Sequence, residues 1–104
     1  MERIAFMFKI KEGTYPEYKK RHDQIWDDMK NVLKEAGRSN YSIWHHDNHI
    51  FGYYEVEDKE KAKQILSNSE VVKRWNAYMK DLIEPYTDFG SNTTVEMEIA
   101  FYLE

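Results

Sequence analysis

The sequence predicts an α+β fold in which four antiparallel strands carry two long helices on one face. Three observations lead there. Hydrophobic residues alternate with period two at both ends of the chain, with two strand-like runs joined by a hairpin pair in its middle; they recur at helical spacing in the two stretches between; and a turn or capping residue stands at each junction. A chain of 104 residues is expected to form one domain, 1–104, around a single two-layer core.

Ile4, Phe6, Phe8 and Ile10 alternate with Ala5, Met7, Lys9 and Lys11, the pattern of a half-buried strand over 3–11. Gly13 ends it. Thr14, Pro16 and Glu17 then match a capping box, with proline in the first turn where its missing N–H is not needed. One helix is expected from there to Ala36, with Tyr18, His22, Ile25, Trp26, Met29, Val32 and Leu33 at helical spacing, and Gly37 as its stop. Strands at 40–46 and 49–56 are joined by Asp47-Asn48, a pair that tolerates the left-handed conformations of a tight hairpin. Asp58 caps a second helix carrying Ala62, Ile65 and Leu66. Ser67-Asn68-Ser69-Glu70 is a further capping box where that helix restarts, to carry Val71, Val72, Trp75, Tyr78, Met79, Leu82 and Ile83 up to Pro85. A turn-rich stretch, 85–92, leads into a last strand, where Val95, Met97, Ile99, Phe101 and Leu103 alternate with Thr94, Glu96, Glu98, Ala100 and Tyr102. The order β-α-β-β-α-β is the split β-α-β of ferredoxin-like folds. The sheet face turned from the helices carries Ala5, Met7 and Ala100, too apolar to stay wet, so a two-fold homodimer stacking two such sheets is expected.

Composition excludes several functions. Net charge is −4, and no five like charges run together, which argues against nucleic acid as a partner. Without cysteine there is no disulfide and no thiol chemistry. The N-terminus is charged at once, unlike a signal peptide, and no stretch approaches the ~18 apolar residues of a membrane span. A cytoplasmic protein with no membrane partner is expected, which makes the glycosylation pattern Asn92-Thr93-Thr94 irrelevant. Aromatic residues reach 15%, and a buried Tyr or Trp needs a partner for its O–H or N–H. The reading is either a polar, aromatic-lined cavity or an aromatic-rich core.

His22 is the informative residue. It follows Tyr18 by four and precedes Ile25 and Trp26 by three and four, which puts it on the inward stripe of its helix. Leu or Met would serve packing better there. It is either a core histidine bonded to a backbone carbonyl or a proton-transfer group beside a second polar residue, Tyr18. His45, His46 and His49 cluster at the hairpin, where His46 and His49 would face each other, but a metal site needs three or four converging ligands and nothing else supplies them. Glu96 and Glu98 share one sheet face, read as solvated or interfacial. Trp75 and Tyr78 are three apart on the second helix, and core packing is the expectation for Tyr78. Glycine-rich phosphate loops, serine or threonine nucleophile patterns and acidic metal motifs are absent.

The run Tyr18-Lys19-Lys20-Arg21-His22-Asp23-Gln24-Ile25-Trp26, then Asn40-Tyr41-Ser42-Ile43, Arg74-Trp75 with Tyr78-Met79, and the ending Phe101-Tyr102-Leu103 together resemble the L-rhamnose mutarotases. The resemblance spans the first strand to the C-terminus at nearly constant spacing, and Arg-His-x-x-Ile-Trp with a tyrosine four residues before the histidine is its specific part. It implies a dimeric α+β barrel with a sugar pocket between helices and sheet in each subunit. It also implies His22 as proton donor and Tyr18, Tyr41 and Trp75 as sugar contacts. Some members carry a second Trp after the first, both touching substrate; here Asn76 stands in its place, and its amide either bonds a sugar hydroxyl or faces solvent.

Mutarotation opens a cyclic hemiacetal, lets the C1–C2 bond rotate and recloses on the other face of the aldehyde. One proton leaves the anomeric hydroxyl and one reaches the ring oxygen. Nothing is oxidised or hydrolysed, so a small enzyme without a cofactor or metal is expected. Tyr18 and Tyr41 supply hydroxyl partners and Trp75 a flat surface for the C–H face of the sugar. The alternatives are a related dimeric α+β barrel acting as a monooxygenase or haem-degrading protein, with His22 on iron, and a dimeric module that binds a small ligand without catalysis.

Overall fold

The computed structural model describes residues 1–84 and 94–104. Its elements are β1 (Glu2–Ile10), α1 (Tyr15–Asp23), α2 (Asp27–Glu35), β2 (Arg38–His46), β3 (His49–Val56), α3 (Lys59–Ser67), α4 (Glu70–Met79), a 3-10 turn (Lys80–Leu82), β4 (Ile83–Glu84) and β5 (Val95–Met97). All strand pairs are antiparallel, in the order β2-β3-β1-β4, with β5 also on β1. This is the ferredoxin-like α+β arrangement read from the alternation pattern.

The inner face is built by the alternation expected of β1, where Ile4, Phe8 and Ile10 are buried, and by a matching one in β3, where Ile50, Tyr54 and Val56 are buried. They share one core with Tyr18, Met29 and Val32 of α1 and α2, and with Ala62, Leu66, Trp75 and Met79 of α3 and α4. The outer face is also apolar. Val95, Met7, Phe51 and Trp44 lie side by side across β5, β1, β3 and β2, and Met97, Ala5, Tyr53 and Ser42 form the next row. Trp44 is 69% exposed there.

Several local expectations are corrected. The single helix expected to end at Ala36 is two. Ile25 N–H bonds the His22 carbonyl, and Trp26 is extended at ψ 142° as the cap of α2. Asp27 and Asp28 open α2, where carboxylates favour a helix start. Trp26 packs edge-on to Trp75 at 5.2 Å and stacks on Tyr78 at 5.5 Å, so tertiary packing decides the break that periodicity hides. The Thr14 capping box does not form: the Thr14 hydroxyl bonds the Lys11 carbonyl and Glu17 pairs with Arg21. Asp58 caps α3 as expected, accepting from Lys61 N–H, but the restart at α4 is capped by Ser69, which accepts from Val72 N–H, not by Ser67. The last strand is only Val95–Met97. Residues 98–104 leave the sheet, exposing Ile99, Phe101 and Leu103. The turn-rich stretch 85–92 and the pair Asn92-Thr93 lie outside the described residues.

β2 begins at Arg38, earlier than expected, and contains a bulge: Ser39 pairs Glu55 and Ser42 pairs Tyr53, so β2 spends one residue more than β3 between them. Asn40 takes φ 50°, which asparagine tolerates better than most side chains, and its amide donates to Glu55. One extra residue inverts the facing of everything before it. Tyr41 and Arg38 therefore both point to the inner face, where unbroken alternation from Tyr41 would have turned Arg38 outward.

Candidate active site

Helices and inner sheet face line an open cavity of about 900 Å³. All five residues expected at a site line it: Tyr18 and His22 from α1, Tyr41 from β2, and Trp75 and Asn76 from α4. Phe6 and Phe8 of β1 form its floor. Gly52, opposite Phe6, makes that floor possible, since a Cβ there would stand 2.0 Å from Phe6 Cζ.

His22 is half-buried in the last turn of α1. Its ring stacks on Tyr18 at 4.4 Å and meets the edge of Trp75 at 5.3 Å between centroids. Nδ1 lies 3.0 Å from the Tyr18 carbonyl, which can only accept, so Nδ1 carries the proton. Burial holds the imidazole below its ordinary pKa of 6.5, outweighing the upward pull of that carbonyl and of Asp23. At neutral pH the ring is therefore neutral. Nε2, with no hydrogen bond among the described residues, presents a lone pair.

The tyrosines behave as neutral hydrogen-bonding groups. Burial, with smaller contributions from Tyr41 and Tyr15, pushes the Tyr18 hydroxyl well above the usual range. Tyr41 is pushed up to about 12, again chiefly by surrounding protein, against the opposing charge of Arg38. Its ring stacks on Tyr54 at 5.1 Å and meets Phe6 edge-on at 6.2 Å. Because it borders an open cavity it is still 37% exposed.

Trp75 is buried; Asn76 is exposed and stands where this cavity adjoins a smaller one. Tyr78, expected in the core, is instead 43% exposed: its ring lies outside on Trp26, with the Arg21 guanidinium 4.4 Å from its centroid. Arg21 also bonds the Tyr78 carbonyl and Asp81, tying α1 to the end of α4 behind His22. The hairpin histidines do not converge. His45 stacks on Tyr15, and His46 and His49 pair across the hairpin as expected. No group of three His, Cys, Asp or Glu able to hold a metal occurs among the described residues. Glu96 is half-exposed and pairs with Lys59. The sequence reading missed Arg38, Met29, Leu33 and Lys80 on the cavity wall. Asn40 interrupting a strand pattern was the one available signal for Arg38.

Comparison with known proteins bears on this cavity. The family model for L-rhamnose mutarotase matches residues 3–103. An L-rhamnose mutarotase of Formosa agariphila is 38% identical over the whole of both chains, and one of Bacillus subtilis 36% identical over the whole of both. The crystal structure of a Formosa agariphila L-rhamnose mutarotase superposes with a TM-score of 0.83 at 35% identity, covering all of each chain. Tetracenomycin F2 cyclase of Streptomyces glaucescens superposes over all of both chains at 0.72 but with 12% identity, a likeness of fold alone.

Proposed function

Since this chain belongs to the L-rhamnose mutarotase family, we propose that it interconverts the α and β anomers of L-rhamnose in the 900 Å³ cavity, with His22 moving the proton. The observation that carries the assignment of His22 is its tautomer: Nδ1–H is spent on the Tyr18 carbonyl and Nε2 is left free in a cavity lined by hydroxyls and aromatic carbon.

In this reading Nε2 first accepts the proton of the anomeric hydroxyl as the C1–O5 bond breaks. The imidazolium so formed is then the proton donor, returning the proton as the ring recloses on either face of the aldehyde. The ring oxygen needs a proton of its own during opening. Water or a cavity hydroxyl supplies it, since Tyr18 and Tyr41 stay protonated near neutral pH. The two tyrosine hydroxyls hold sugar hydroxyls, Trp75 covers the apolar face of the ring, and Asn76 offers an amide at the rim.

The same reading makes residues 1–104 one working domain of a cytoplasmic homodimer. The apolar rows across β5, β1, β3 and β2, and the exposed Ile99, Phe101 and Leu103, are what a second copy would cover. No described helix is long and apolar enough to cross a membrane. Saturation-transfer NMR on the anomeric protons of L-rhamnose tests the function: exchange should rise in proportion to added protein. Binding without acceleration would make this a ligand-binding module, and neither binding nor acceleration would end the assignment.

A further inference from the structure

Beside the sugar cavity lies a second one of about 380 Å³, between α3, α4 and the inner face of β3. Arg38, Lys59, Lys63 and Lys73 line it, and no acidic residue among those described does, in a chain whose net charge is −4. Lys59 is paired with Glu96 and Lys73 with Glu70. Arg38 and Lys63 have no ion pair among the described residues.

Arg38 is held in place. Its guanidinium lies 4.1 Å from the centroid of the Tyr54 ring, and its Nε is cut off from solvent with no hydrogen-bond partner among the described residues. A buried N–H without an acceptor is unfavourable, more so on a cation, and the guanidinium's terminal nitrogens, which keep some exposure and have no partner among the described residues, are the ones an oxygen can meet. Arg38 and Asn76 line both cavities, so the two compartments join at these side chains.

We propose that the smaller compartment is an anion subsite continuous with the sugar cavity, taking the carboxylate or phosphate of an acidic sugar whose ring lies beside His22. Arg38 supplies the planar fork that matches two oxygens of such a group, and Lys63 adds an unpaired charge at the far wall. L-Rhamnose carries only a methyl at C6 and leaves both cations to water, so the subsite extends recognition beyond the neutral sugar. This rests on the main cavity being the sugar site.

Three sugars that differ only at C6 test it: glucose, glucuronate and glucose 6-phosphate, each as a competitor of L-rhamnose exchange. At least one acidic sugar should compete about ten-fold better than glucose, and the stronger of the two identifies the anion. That advantage should shrink in Lys63→Gln, nearly vanish in Arg38→Gln and weaken with added salt, while Lys63→Gln keeps the unaltered rate on L-rhamnose. Equal competition by all three, or an advantage that survives both substitutions, overturns the inference. Because Lys63 is exposed on α3, its substitution leaves the fold intact even if Arg38→Gln does not. Failure of the unaltered protein to exchange L-rhamnose would sink the sugar-site reading itself, whereas normal exchange without preference for the acids sinks the subsite alone.

Discussion

Replacing His22 by Gln removes the exchangeable proton while keeping a polar side chain that can still reach the Tyr18 carbonyl. Two losses follow, and the structure separates them. The ring contacts with Tyr18 at 4.4 Å and Trp75 at 5.3 Å disappear, each aromatic pair contributing ~0.5–1.5 kcal/mol. A stability loss of about 1–3 kcal/mol is expected, and at ~4–8 °C per kcal/mol for a domain near this size the melting point falls by about 4–24 °C. Catalysis loses a positioned acid/base worth ~10²–10⁴ in rate, or about 2.7–5.4 kcal/mol of barrier at 1.36 kcal/mol per decade. Measured well below the lowered melting point, the variant should show native circular dichroism, unchanged sedimentation and retained L-rhamnose binding, with anomeric exchange near the uncatalysed rate. Tyr41→Phe is the contrasting case: loss of one neutral hydrogen bond of ~0.5–1.5 kcal/mol should raise KM about two- to twelve-fold and leave kcat largely intact. A folded His22→Gln that exchanges anomers normally, with Tyr41→Phe inactive, would refute the assignment and make the tyrosine the proton carrier.

The depressed pKa of His22 fixes the sign of a pH effect: kcat/KM should be level through neutrality and fall on the acid side with a midpoint below 6.5, seen also in the His22 imidazole NMR titration. The unfolded chain takes up that proton at the higher pH, so the stabilisation is present above about 6.5 and is lost as pH falls through the folded-state pKa; loss of activity on raising pH through neutrality would contradict a neutral resting imidazole. Gly52→Ala would place Cβ 2.0–2.6 Å from three Phe6 ring atoms. Overpacking of ~1–3 kcal/mol, offset by ~0.4–1 kcal/mol of unfolded-state entropy, should lower the melting point and weaken sugar binding together as Phe6 shifts. Trp44→Lys puts a charge on the outer apolar row and should convert the proposed dimer to a folded monomer in sedimentation; an unaltered dimer would move the interface elsewhere. Exhaustive chelation should leave exchange unchanged, and a loss restored by zinc would bring His46 and His49 back into consideration.

The fold was legible where burial sets the pattern. Strands β1 and β3 each bury one face, and in β1 the alternation named the right residues. The first long helix was misread because Tyr18, Ile25, Trp26 and Met29 keep a helical period across a break, one decided by where Trp26 packs against Trp75 and Tyr78. The C-terminal strand was overread for a different reason. Ile99, Phe101 and Leu103 alternate as a strand would, yet they are exposed and pair with no strand among the described residues, and a period-two pattern does not itself supply a partner.

The site divides along the same line. His22 stood out because an imidazole on an apolar stripe is poor packing, and Tyr18 one turn earlier then falls into place by helical geometry alone. Arg38 was invisible because its facing depends on one inserted residue. Counting back from Tyr41 in steps of two reaches Ser39, and only the bulge at Asn40 brings Arg38 inside. The bulge also explains the chemistry of that wall. It stacks Tyr41 on Tyr54 and lays the Arg38 guanidinium over the same ring, so a single tyrosine orients both a neutral hydrogen-bonding group and a fixed cation toward one cavity. His22 approaches from the helices without charge, which keeps the cation at Arg38 from opposing a protonated imidazole in the resting enzyme. In the proposed mechanism Nε2 becomes charged only as it takes the substrate proton, while the permanent charge of Arg38 stands on the sheet side of the cavity.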